Sequence, residues 1–265
     1  MEGGQDQIHP VRNAALAWQG DKITWLGKDS ELPIQLANEP AFDACKSMVV
    51  PGLVECHTHL GFAGWRADEF EKRIQGKTYL EIAREGGGIL RTVDATRRMS
   101  EENLLARCGF FVDEMTALGI TTIEAKSGYG LNLEDELKIL RVYDRLRQTE
   151  AARIVSTCLS AHAVPPEYFK NREGYVDLIC NEIIPATAEQ KLADFCDVFI
   201  EESAFSLDEA RQIFRVARSF GLRSKLHADQ LTDGQGAMLA AQVKAISADH
   251  LEYSSTDGIR AMARS

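Results

Sequence analysis

Met48-Val49-Val50-Pro51-Gly52-Leu53-Val54-Glu55-Cys56-His57-Thr58-His59-Leu60 is the stretch on which the fold turns. Its apolar, β-branched opening over 48–54 is too short for a helix and predicts a buried strand. Side chains two apart on a strand point the same way, so His57 and His59 should project together beyond the strand's end. Two neutral imidazoles so placed can share one Zn²⁺ or Fe²⁺, and Gly61 and Gly64 leave room for close backbone approach. An isolated His-x-His is more often a hydrogen-bonded pair at a strand end, so its surroundings must decide.

Composition bounds the answer. At 265 residues, with 45% hydrophobic and 26% charged, the chain can bury one large core or two modest ones. Thirty basic against forty acidic residues leave a net charge of −10, which repels nucleic acid and anionic lipid. A small anionic substrate would then need a dedicated Arg or Lys. The six cysteines form no Cys-x-x-Cys pair and sit mostly in apolar contexts, as expected of reduced, buried thiols. Neither a signal peptide nor a window of about 18 apolar residues is found, so a cytoplasmic protein without a membrane partner is expected.

Residues 14–27 read as two short strands joined at Gln19-Gly20-Asp21. A lone hairpin is marginal in water, so residues 1–46 are expected to form part of a small β-sandwich. From residue 47 onward the pattern alternates. Strand-like segments at 48–54, 119–125, 153–159, 196–200, 223–227 and 244–248 are separated by helix-like stretches, best over 101–118, 133–147, 207–220 and 236–242. Ser100 with Asn103, and Ser206 with Glu209, predict caps; Gly119 and Gly221 predict helix ends. About six such β/α units predict an α/β fold with a mainly parallel sheet, either a barrel or doubly wound. No Gly-x-Gly-x-x-Gly follows the first strand, and Gly86-Gly87-Gly88 lacks a following Lys-Ser/Thr, which counts against nucleotide binding.

Five of the six histidines fall at predicted strand ends: His57, His59, His162, His227 and His250. In parallel α/β folds the C-terminal strand ends are where ligands and catalysis gather. Their convergence points to a metal or histidine-based site.

The run Val50-Pro51-Gly52-Leu53-Val54-Glu55-Cys56-His57-Thr58-His59 resembles the first-strand motif of the amidohydrolase superfamily, metal hydrolases on distorted (β/α)₈ barrels. Further motifs narrow the match to the imidazolonepropionase family within it: Arg66-Ala67-Asp68-Glu69-Phe70, Gly86-Gly87-Gly88-Ile89-Leu90, Lys126-Ser127-Gly128-Tyr129-Gly130, Ala161-His162-Ala163-Val164-Pro165-Pro166-Glu167-Tyr168, Leu226-His227-Ala228-Asp229-Gln230-Leu231 and Asp249-His250-Leu251-Glu252-Tyr253. The resemblance implies a TIM-like barrel over 47–265, incomplete here, and a cytoplasmic hydrolase of histidine degradation. Its implied substrate is a small anionic cyclic amide, 4-imidazolone-5-propanoate, opened to N-formimino-L-glutamate. One divalent metal, Zn or Fe, would be held by His57, His59 and His227, with His250 as the catalytic proton carrier. Arg66 would pair with the propanoate carboxylate, Tyr129 and His162 would hydrogen-bond the substrate, and Gln230 would meet the amide edge. A homodimer is also allowed.

Against the superfamily pattern, an aspartate after an eighth strand has no counterpart among about six strands. Asp229 and Asp249, next to ligand-type histidines, are expected to point away by strand alternation. A fragment that is inactive alone is therefore expected. Another cyclic amidohydrolase or aminohydrolase, and a truncated metal-binding relative, are the alternatives; Arg66 and Tyr129 favour a ring that carries a carboxylate.

Overall fold

The computed structural model describes residues 9–77, 81, 82 and 85–265. The chain divides into two compact units, Met1–Pro51 and Gly52–Ser265. In the first, β1 (Ala14–Gln19) and β2 (Lys22–Lys28) form the expected antiparallel hairpin, with a register shift between Ala17 and Trp18. Gly20 takes the left-handed φ of +61° at the turn, which costs a glycine nothing. Among the described residues these strands pair only with each other, and Trp18, Ile23 and Leu26 are exposed.

The second unit is a six-stranded parallel sheet in sequential order: β3 (Leu53–Thr58), β4 (Ile120–Lys126), β5 (Arg153–Ala161), β6 (Phe195–Ile200), β7 (Arg223–Ala228) and β8 (Ser247–His250). Side chains of the two outer strands meet across the interior, His57 on β3 lying 2.9 Å from Asp249 on β8, so the sheet is a nearly closed barrel. Two strand limits differ from expectation. Residues 48–50 lie outside β3, because Pro51 has no N–H for the ladder. The last strand begins at Ser247 rather than at 244, because Lys244 adopts a left-handed φ of +53° to end the preceding helix.

Helices fill the crossovers. Among the described elements between β3 and β4 are α1 (Ala67–Ile74), α2 (Ile89–Arg98) and α3 (Glu101–Ala117). Then come α4 (Leu133–Thr149) after β4, α5 (Arg172–Leu178) and α6 (Ile184–Glu189) after β5, α7 (Leu207–Ser219) after β6, α8 (Gly236–Val243) after β7 and α9 (Thr256–Met262) after β8. The expected starts are present: Ser100 accepts from the Asn103 N–H, and Ser206 with Glu209 forms a full capping box. No described helix is long and apolar enough to cross a membrane.

Alternation along the strands sorts the core. One face, with Ile123, Ala125, Ile154, Cys196, Val198 and Leu226, packs against the helices. The other turns Glu124, Lys126, Thr157, Asp197, Lys225, His227 and Asp249 into the barrel, where they pair with one another. The barrel interior is thus polar and largely ion-paired in its middle, with Glu124 Oε2 and Asp197 Oδ1 left without a hydrogen bond, and this charged layer is the floor of the site above it.

Candidate active site

Each strand delivers its functional side chain at its C-terminal end. His57 is next to last in β3 and His59 just past it; His162 follows β5, His227 is next to last in β7, and His250 ends β8. Their rings form one cluster. Centroids are 4.6 Å apart for His57 and His227, and 5.3 Å apart for His57–His59, His59–His227, His57–His250 and His227–His250. His162 stacks on His59 at 4.8 Å, and the Tyr129 ring lies 5.7 Å from His59 and 5.4 Å from His162. The sequence-expected groups Tyr129, His162 and the four other histidines are therefore brought together.

The nitrogens have the character of a cation site. His227 Nε2 faces His59 Nε2 at 3.3 Å, a separation at which two imidazoles share either a proton or a cation. One ring nitrogen from each of His57, His227 and His250 also lies within 4.8 Å of the others. His59 Nδ1 is buried without a hydrogen-bond partner. Burial, reinforced by the neighbouring His162 and His227, holds the His59 imidazole well below its usual pKa. Burial likewise pulls His162 down to about 3. Both rings are neutral at physiological pH, the form in which an imidazole ligates metal. The residues present therefore fit a divalent ion.

Beneath the rings runs a layer of charges that strand patterning left unassigned. The Lys126 ammonium, fully buried, lies 2.9 Å from Asp197 and 3.0 Å from each of Glu124 and Asp249. Burial alone would lower its pKa, but the carboxylates of Asp197, Glu124 and Asp249 outweigh that and raise it. The same pairing reaches the histidines. Asp249 Oδ2 is 2.9 Å from His57 Nδ1, and Asp197 Oδ2 is 3.0 Å from His227 Nδ1. Burial works against the Asp249 carboxylate, yet His57 and Lys126 bring its pKa down to about 2. Asp197, His227 and Asp249 together also have the spacing of a cation site. That space is filled by the Lys126 ammonium, so this second group is a closed ion cluster.

The inward Asp249 corrects the expectation that it points away. Asp249 stands in register with His227 on the neighbouring strand, and both face the interior. His250 reaches the same site by a different route: its φ of +75° breaks the strand's alternation, so its position says nothing about its neighbour's. Asp229 does point away, accepting from the Gly236 and Ala237 N–H groups at the start of α8.

Arg66 and Gln230 lie in the loops that follow β3 and β7. Arg66 directly precedes α1, with its side chain about one-third exposed, and Nη1 donates to Glu69 at 3.1 Å. The paired Glu69 also accepts from the Gly88 N–H, tying the Arg66 segment to the glycine run. Gln230 lies two residues past β7 and is half-buried.

No family model matches the chain. The imidazolonepropionase of Yersinia pseudotuberculosis serotype O:1b (strain IP 31758) is 48% identical over 265 residues, all of this chain and 64% of that protein. The chain is similar to the imidazolonepropionases. The imidazolonepropionase of Yersinia pestis (strain Pestoides F) is also 48% identical, over 99% of this chain and 64% of its own length. The chain thus spans just under two thirds of the curated imidazolonepropionases it matches. Among solved structures, guanine deaminase from C. acetobutylicum with bound guanine aligns with a TM-score of 0.64 at 13% identity, over 98% of this chain and 62% of that one. The 5-methylcytosine deaminase of Klebsiella pneumoniae aligns at 0.59 and 14%, over 86% and 51%. At those identities the deaminases show the α/β barrel fold alone.

Proposed function

We propose that the chain carries the catalytic face of an imidazolonepropionase: a metal-dependent hydrolase that opens the cyclic amide of 4-imidazolone-5-propanoate to N-formimino-L-glutamate in histidine degradation. The observation that carries this is the convergence of His57, His59 and His227, two of them backed at Nδ1 by the carboxylates of Asp249 and Asp197. Those three histidines would hold one divalent ion, zinc or iron. When bound, such an ion brings the pKa of a coordinated water toward neutrality and polarises a carbonyl.

The remaining chemistry belongs to the side chains. With Nδ1–H of His57 donated to Asp249 and Nδ1 of His227 lying 3.0 Å from Asp197, both rings would offer the Nε2 lone pair, the orientation that carboxylate–histidine–metal pairs impose. His250, half-exposed at the mouth, is suited to carry a proton to the leaving ring nitrogen; burial and the neighbouring His227 keep its pKa below the usual value. His162 donates Nδ1–H to the Gly128 carbonyl at 3.0 Å, which leaves Nε2 to accept from a ring N–H of the substrate. The Tyr129 hydroxyl and the Gln230 amide supply further donors and acceptors around the ring.

Arg66 is the cation assigned to the propanoate carboxylate in a chain of net charge −10. Binding would require its guanidinium to share or leave Glu69 for the substrate. A charge-assisted pair of this kind contributes about 1.5–3 kcal/mol, so Arg66→Ala should weaken substrate binding by roughly one to two orders of magnitude. Arg66→Lys should restore only part, since Lys lacks the planar fork. Unchanged kcat/KM in both variants would exclude Arg66 as the carboxylate partner.

The exposed Trp18, Ile23 and Leu26 of the hairpin support taking residues 1–46 as part of a β-sandwich, with the barrel over 47–265. Six unpaired cysteines fit a cytoplasmic location. The activity is tested by following loss of imidazolonepropanoate absorbance after reconstitution with zinc or iron. The chain should be assayed as it stands and extended by the part of a relative that it does not span. Absence of metal-dependent turnover in the extended form would overturn the assignment.

A further inference from the structure

The loop after β4, Ser127-Gly128-Tyr129-Gly130-Leu131, is held by a single buried carboxylate. Glu136, on the first turn of α4 and fully buried, folds back over the loop. Its Oε1 accepts from the N–H groups of Gly128 at 3.1 Å, Gly130 at 2.7 Å and Leu131 at 2.9 Å. Oε2 accepts from Gly128 at 3.2 Å and from the Ser160 hydroxyl at 3.2 Å. A carboxylate fully removed from water is costly unless its lone pairs are filled, and here loop amides and the Ser160 hydroxyl fill them.

The loop is built for this contact. Gly128 has a φ of +105° and Leu131 of +53°, two left-handed steps that turn successive N–H groups toward one point. A Cβ on Gly130 would stand 2.4 Å from the Glu136 nitrogen, so only glycine lets the loop lie against the helix. The loop's carbonyls are held from other sides: Arg97 Nε donates to Gly130 at 2.6 Å, and His162 Nδ1 to Gly128 at 3.0 Å.

From this arrangement we infer that Glu136 is the positioning residue for Tyr129 and His162, fixing the substrate-facing side of the site without touching substrate or metal histidines. Tyr129 lies between two glycines whose N–H groups Glu136 holds. His162 is oriented by the carbonyl of one of those glycines. Glu136 thus sets where both rings stand over His59. The functional half of this inference rests on the activity proposed above.

The test compares Glu136→Gln and Glu136→Asp with the parent 265-residue chain. A glutamine keeps the shape but turns one acceptor into a donor, and an aspartate keeps the charge but falls one methylene short. Amide hydrogen exchange at Gly128, Gly130 and Leu131 should quicken strongly in the glutamine variant and less in the aspartate variant, while zinc bound per chain stays unchanged. In the form that turns over imidazolonepropanoate, kcat/KM should fall roughly 10- to 100-fold, mainly through KM, as expected when reacting groups are misplaced by about 1 Å. The penalty of Tyr129→Phe should shrink in the glutamine background, because residues that act as a unit are not additive. Unchanged exchange at the three amides would overturn the clamp. Faster exchange with unchanged KM, with a fully additive Tyr129→Phe penalty, or with loss of zinc would overturn the positioning role. If no form turns over, the proposed activity fails, and the clamp is judged on exchange together with ring contacts between Tyr129, His162 and His59 measured by NMR; contacts unchanged in the glutamine variant would overturn it.

Discussion

Replacing His227 with alanine is expected to abolish tight binding of a divalent ion, the largest effect of any single substitution considered. Loss of an outer hydrogen-bonding partner of a metal ligand typically costs about 10- to 100-fold in affinity, and loss of a ligand itself should exceed that. His227 is the ring on which the cluster centres: 4.6 Å from His57, 5.3 Å from His59 and His250, with Nε2 only 3.3 Å from His59 Nε2. Its other nitrogen lies 3.0 Å from the buried Asp197 carboxylate. Competition against a chromophoric chelator, with zinc as the probe, measures the loss. His9→Ala is the control, since His9 is exposed and outside the cluster. Unchanged affinity and stoichiometry in His227→Ala would remove the metal assignment.

The second large effect should be on stability. Lys126→Met replaces a fully buried ammonium with an apolar chain of similar length, leaving Asp197 and Asp249 without their shared cation. Removing one partner of a buried ion pair typically costs about 3–5 kcal/mol, because the remaining charge stays in a poor solvent. Three carboxylates converge on Lys126, which places the expected cost toward the upper part of that range. Chemical denaturation, followed by a probe confined to the barrel, reads it as a lower midpoint at constant slope. The metal-free protein is the right form, since a divalent ion would contribute binding energy of its own. A loss below about 1 kcal/mol, the scale of an exposed pair, would show that the carboxylates are compensated without Lys126.

Much of this site is written locally. His57, His59, His162, His227 and His250 stand at the ends of apolar segments, and strand periodicity with the parallel-sheet rule is enough to bring them to one face. The caps at Ser100 and Ser206 are equally local, because a hydroxyl meets an N–H two or three residues away whatever the rest of the chain does. Two short helices, α1 and α2, carry no comparable signal: Gly88 precedes α2 without a side-chain cap, and Arg66 caps α1 with none either.

The charged floor was legible only in part. Glu124 and Lys126, Lys225 and His227 recur at spacing two within apolar strands, a period-two signal of a polar interior face. What that face does could not be read so, because its partners are 71 to 123 residues apart in pairs such as Lys126–Asp197 and Lys126–Asp249. The sequence by itself determined the parallel α/β order, the ligand-bearing end and the histidines that gather there. Those follow from short-range periodicity and from the geometry common to all parallel sheets. Only the tertiary structure decided that Asp249 turns inward, that Lys126 fills the space between carboxylates, and that Glu136 holds the Tyr129 loop. Each depends on sheet curvature or on one residue's backbone angle, such as the +75° φ of His250, and neither quantity is carried by residue type alone.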